Sequence, residues 1–161
     1  MTYRVSATGE ELEALRMTLG HHVFEQVPHA DLTYLAIDVR DWTNKDGLTE
    51  SIVGDAIVEI RDGEEVTVFS TWDWSEPEQH AEWSSTFYPQ GRDWTHANSL
   101  HYDPADDTYL VSLAHPKTVL QVNATTGEVV DEISASTRTL TDELLGSVSY
   151  THLTLPTTYT V

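Results

Sequence analysis

The chain contains no cysteine. Disulfides, thiol nucleophiles and zinc–thiolate sites are therefore excluded, while the compartment stays open, because secreted proteins need not carry disulfides. Basic residues are scarce as well. Only 8 Lys and Arg stand against 27 Asp and Glu, giving a formal charge of −19, and the lysines are Lys45 and Lys117 alone. Such a surface lacks the cationic face that nucleic-acid phosphates require, and anionic membrane surfaces would repel it. Neither nucleic acid nor membrane is expected as a partner. No run is long and apolar enough for a bilayer span, and the start, Met1-Thr2-Tyr3-Arg4-Val5, lacks the apolar stretch of a signal peptide. The composition reads as a well-solvated acidic surface. With so few lysines it also fits salt adaptation of the halophilic kind, in which self-repulsion weakens the fold at low salt.

What is present is mostly strand. The 161 residues allow one domain with its own core. Residues 1–19 stay open between a short helix, with Leu12 and Leu15 on one face, and a hairpin around Gly9-Glu10. From His21 onward the pattern is β. Val23, Phe24 and Val27 form a first strand and Leu32 to Val39 a second. An insertion rich in turn formers is expected from Asp41 to Gly54. Ala56–Ile60 and Val66–Thr71 then flank a hairpin turn at Arg61-Asp62-Gly63-Glu64. Residues 73–93 break the rhythm with an aromatic loop through His80, Trp83 and Tyr88, either a functional loop or a lid over an apolar patch. Four more strands follow at Ala97–Tyr102, Thr108–Leu113, Thr118–Val122 and Glu128–Ile133.

Two four-stranded meanders of blade length predict an all-β chain, a partial β-propeller of about two antiparallel blades, with a sandwich as the alternative. Two blades do not close a propeller, which typically has about 4–8. Ser147 to Tyr159 carries no charged residue in an otherwise acidic chain, and Val148–Thr157 resembles the translation of a transposase sequencing adapter. Residues 1–146 are therefore expected to be an incomplete propeller domain, and 147–161 a non-native tail that packs poorly.

The chemistry concentrates in Asp93-Trp94-Thr95-His96-Ala97-Asn98-Ser99 and the strand ending in Val111-Ser112-Leu113-Ala114-His115. Polar and aromatic groups at a strand mouth can converge on a ligand. With the His21-His22 pair, Gly54-Asp55-Ala56, Asp62-Gly63-Glu64, Trp72-Asp73 and Thr126-Gly127-Glu128-Val129, these segments resemble the arylsulfate sulfotransferases, β-propeller enzymes, over nearly all of residues 20–133. The resemblance implies transfer of a sulfuryl group from a phenolic sulfate ester to a phenol, through a histidine intermediate and without a cofactor. A sulfate ester spreads its charge over three oxygens, so imidazolium and amide donors stabilise the transferring group. A neutral imidazole can attack sulfur and split one displacement into two.

By the resemblance, His96 and His22 contact the sulfate, and His21, Asn98, His115 and Trp94 are substrate-binding candidates. Because strand neighbours point to opposite faces, at most one of His21 and His22 is expected at a central site. The family's attacking histidine lies in a later segment and is expected to be missing from this chain, and the family's arginine falls on Ala114. The resemblance also allows a homodimer of the intact protein and an extracytoplasmic location. Asp103, Asp106 and Asp107 lack the Gly and distal Glu of a calcium loop and read as a turn. The histidines show no tight i, i+2 or i, i+4 pairing, so no metal is expected. His80 and His101 read as surface residues. The competing reading is a non-catalytic propeller that binds through its aromatic loop.

Overall fold

The computed structural model describes residues 2–5, 8–9, 11–15, 17–77 and 88–134. The opening segment is a hairpin, β1 (Thr2–Val5) paired antiparallel with β2 (Glu11–Leu15). Then come β3 (Gly20–Val27), β4 (Ala30–Thr43), β5 (Thr49–Arg61) and β6 (Glu64–Ser70), an antiparallel meander in that spatial order. One helical turn, α1 (Thr71–Trp74), follows, with the Ser70 side chain accepting from the Trp72 amide at its start. The short β7 (Arg92–Asp93) pairs in parallel with Ile52 and Val53 of β5. A second antiparallel meander holds β8 (Ala97–Asp103), β9 (Thr108–Leu113), β10 (Thr118–Asn123) and β11 (Val129–Ser134). The chain is all-β, with two blade-like sheets as the strand pattern implies.

Local sequence explains these elements. In β5, Ile52 to Ile60 is continuously buried, as expected of a central strand covered on both faces. In β10 the burial alternates strictly, with Thr118, Leu120 and Val122 inward, the signature of a sheet with one covered face. Asp62 and Gly63 both adopt positive φ, 53° and 81°. A two-residue hairpin of the primed type demands this.

Residues 41–54 differ from expectation. β4 and β5 remain paired from Leu32↔Ile60 out to Thr43↔Thr49. The turn is confined to Asn44–Leu48, where Asn44 Oδ1 accepts from the Asp46 and Leu48 amides at 3.0 Å each. Polar residues there reflect the exposed arms of a long hairpin, since strand preference depends on exposure.

The principal core lies between the two sheets. Leu35, Ile57 and Phe69 from the first meet Leu100, Val111, Leu113, Leu120 and Val122 from the second. On the other face of the first sheet, Tyr34, Ala36, Val58 and Ile60 form a separate cluster with Met17 packed against it. At one end, Glu59 is fully buried yet fully engaged. It accepts from the Tyr109 hydroxyl at 2.7 Å and from Arg61 Nε at 2.6 Å, and lies 3.1 Å from His29 Nε2. The candidate chemistry sits at the other end, where β3 and β8 begin.

Candidate functional site

Asp93 organises the site. Buried on β7, it accepts the His96 amide through Oδ1 at 3.0 Å. That bond folds residues 93–96 into a tight turn. The turn brings His96 Nδ1 to 2.5 Å from Oδ2 of the same carboxylate. His96 holds a left-handed backbone, with φ 51°. This conformation is uncommon for a residue with a side chain and frequent at functional sites. The adjoining backbone is pinned from both sides. The Trp94 amide donates to the Val53 carbonyl at 3.0 Å, and the Ala114 and His115 amides donate to the His96 and Thr95 carbonyls at 3.1 and 3.2 Å. Those bonds set the His115 ring beside that of His96, with centroids 5.2 Å apart.

β3 supplies the remaining histidines. Between His21↔Leu35 and Phe24↔Tyr34 the register shifts, so β3 advances three residues while β4 advances one. Such a bulge re-aims the side chains it carries. Within it His22 takes φ 51°. The His21 and His22 rings consequently approach to 5.2 Å, and His22 lies 5.6 Å from His96. Strict alternation would admit only one of the pair to the site; the bulge admits both. His21 Nε2 is 2.9 Å from Asp55 Oδ1, but off the hydrogen-bond line, since neither atom has a hydrogen bond among the described residues. The other Asp55 oxygen accepts from the Thr95 hydroxyl at 2.5 Å and the Ala97 amide at 2.7 Å. The Tyr88 ring closes the cluster, 5.8 Å from His21 and 6.4 Å from His96.

The environments push the imidazoles apart. The hydrogen bond to Asp93 raises the His96 pKa above its ordinary value, with burial opposing. Burial lowers that of His22, reinforced by the neighbouring His21 and His96. Burial likewise lowers that of His115, with the Asp93 carboxylate opposing. The Tyr88 phenol is raised by burial and by the charges of Asp55 and Asp93.

The site residues named from sequence fare differently. His21, His22, His96 and His115 come together. Asn98 is half-buried in a β8 bulge, two residues beyond His96. Trp94 is 0 % exposed, packed with Ile52 and against Trp72 and Trp74. His101 is exposed, whereas His80, Trp83 and the 147–161 tail lie outside the described residues. Asp55, Asp93 and Tyr88 escaped sequence reasoning as site residues. A carboxylate inside the apolar run Ile52–Ile60 was the available signal for Asp55. Among the described residues, Asp93, His96 and His115 also offer ligand atoms within 4.8 Å of one another.

A cavity of about 480 Å³ opens at the far end, lined by Pro28, His29, Arg61, Tyr102, Asp107 and Thr125. His29 and Arg61 are already committed to Glu59 there. The imidazole cluster is the better candidate on chemistry.

The family model described as Arylsulfotransferase (ASST) matches residues 2–148. The chain belongs to the arylsulfotransferase family. The match spans both meanders and every histidine of the cluster, and the family's substrates are an aryl sulfate and a phenol. No curated protein and no solved structure matches the chain.

Proposed function

We propose that the imidazole cluster is the sulfate-contacting half of an arylsulfotransferase site. It takes a phenolic sulfate ester as donor and works with a histidine intermediate formed on a residue other than these four. The run of ring contacts from His21 through His22 and His96 to His115, at 5.2, 5.6 and 5.2 Å, carries this reading. Adjacent imidazoles of differing basicity can share three sulfuryl oxygens. The hydrogen bond from His96 Nδ1 to Asp93 favours the imidazolium, in which Nε2 also carries a proton to donate. A donor held rigidly by a buried carboxylate, as His96 is by Asp93, costs little reorganisation as charge shifts on the transferring sulfuryl group.

Affinity for a nitrophenyl sulfate, measured by calorimetry on the full chain and on His96→Ala, tests the contact. Loss of a hydrogen bond to a charged group predicts binding weaker by about tenfold or more; equal affinities would overturn the proposal. Mass spectrometry after incubation should find no sulfohistidine at His21, His22, His96 or His115. A second reading, a binding propeller without transfer, is favoured by Ala114, which stands where the family pattern has an arginine and offers no side-chain donor. Phenol release by the intact reading frame separates the two.

A further inference from the structure

Asp93, His96 and His115 arrive from three separate places, the end of β7, the turn before β8 and the turn after β9, yet present ligand atoms within 4.8 Å of one another. One carboxylate faces both rings. Oδ2 is 2.5 Å from His96 Nδ1, and Oδ1 is 4.0 Å from His115 Nδ1. The second gap is too long for a hydrogen bond, and His115 Nδ1 is buried with no hydrogen bond among the described residues. A tetrahedral zinc with bonds of roughly 2.0–2.2 Å holds its ligand atoms about 3.3–3.6 Å apart, so this second gap needs only a small closure. We infer that Asp93, His96 and His115 form a chelating site for a divalent transition-metal cation of the zinc class.

The donor set argues for that class. Two imidazoles and one carboxylate suit Zn²⁺ or Co²⁺, whereas Ca²⁺ and Mg²⁺ take oxygen ligands. Three protein ligands leave the fourth tetrahedral position open. The frame is already fixed: β7 is held on β5, and the Ala114 and His115 amides are bonded to residues 96 and 95. The rearrangement required is small. The His96–Asp93 hydrogen bond, at 2.5 Å, must open. Two ligands of one tetrahedral ion stand roughly 3 Å or more apart. The strongly negative chain raises the local concentration of cations. The inference rests on this geometry and stands independently of the sulfate reading; a bound ion would take His96 away from sulfate.

The test uses the full chain, stripped with a chelator and titrated with Co²⁺ in excess Mg²⁺, which occupies surface carboxylates. One saturating Co²⁺ per chain is expected, with the intense visible absorption of a tetrahedral site, displaced by Zn²⁺. His115→Asn and Asp93→Asn should each weaken Co²⁺ binding by at least about tenfold, and His101→Ala should leave it unchanged. Paramagnetic broadening in the unaltered chain locates the ion without relying on a variant that folds. Residues 93–97 and 113–116 must broaden first. Broadening centred on His29 or His101, absence of the visible band, or undiminished binding by a folded His115→Asn would overturn the inference.

Discussion

The Asp55 carboxylate on β5 accepts the backbone amide of Ala97, the first residue of β8, at 2.7 Å. This one bond ties the central strand of the first sheet to the leading strand of the second, at the end where the histidines gather. The same carboxylate takes the Thr95 hydroxyl and stands 2.9 Å from His21 Nε2. Asp55→Ala would leave a buried hydroxyl and a buried amide without an acceptor. The expected loss is on the order of 3 kcal/mol, read as a lower urea midpoint. Asp55→Asn keeps an acceptor oxygen and should lose less. A change of under about 0.5 kcal/mol in Asp55→Ala, the range of ordinary surface substitutions, would contradict this bridging role.

Gly54 is the neighbour that lets the tryptophans close. A Cβ there would lie 2.7 Å from Thr71 Oγ1, 2.8 Å from Trp72 Nε1 and 2.9 Å from Trp94 Nε1. Replacing a strand glycine ordinarily gains up to about 1 kcal/mol in backbone entropy, but overpacking a tight core costs about 1–3 kcal/mol. The steric term should win. Gly54→Ala is expected to lower Tm and shift the tryptophan fluorescence; an unchanged or higher Tm would show that the indoles can give way.

Alkaline pH should unfold the protein as its buried phenols ionise, Tyr34 and Tyr109 foremost. Tyr34 is buried with its hydroxyl donating to Glu65 at 2.8 Å, and Tyr109 is buried with its hydroxyl donating to Glu59 at 2.7 Å. Burial first, then the carboxylate partner, raises the Tyr34 pKa above the ordinary phenol value; burial does the same for Tyr109, with Glu59 adding and Thr33 opposing. A folded pKa raised above the unfolded value of about 10 gives stability that is complete below that pH and lost as pH rises beyond it. Phenolate absorbance should therefore show Tyr34 and Tyr109, together with the likewise raised Tyr88, at least three of the seven tyrosines, ionising only with unfolding. Reversible titration of all seven near pH 10 would refute it.

The charge of −19 sets the response to salt. Screening of self-repulsion should raise Tm as ionic strength goes from about 0.01 M to about 1 M, where the Debye length falls from about 30 to about 3 Å. Surface pairs such as Arg40–Asp38, with Nη2 and Oδ2 at 2.7 Å, weaken in parallel. Pairs of that kind contribute little. A flat or falling Tm would argue against salt adaptation.

Much of the fold was legible because apolar alternation and turn chemistry agreed, as in β9, β10 and the Asp62-Gly63 turn. The long arms of β4 and β5 were hidden because exposed strand ends carry the residues that also make turns. At the site, the family resemblance carried by Asp93-Trp94-Thr95-His96 pointed to His96, but the physical link within that segment, a carboxylate that caps the turn and holds the ring, appears only in three dimensions. The β3 bulge that brings His21 and His22 together leaves no mark on a period of two. The burial of Trp94 beside Gly54 was not legible either, because that contact joins residues forty positions apart.

The sulfate-contacting role of the imidazole cluster is tested most directly by nuclear magnetic resonance of the ¹⁵N-labelled histidine side chains during titration with a nitrophenyl sulfate. Ring-nitrogen shifts are predicted for His22 and His96 first, with His21 and His115 following, while His29 beside Glu59 and the exposed His101 stay fixed. Saturable shifts at His29 with none at His22 or His96 would place the ligand in the cavity at the opposite end of the sheets and contradict the assignment.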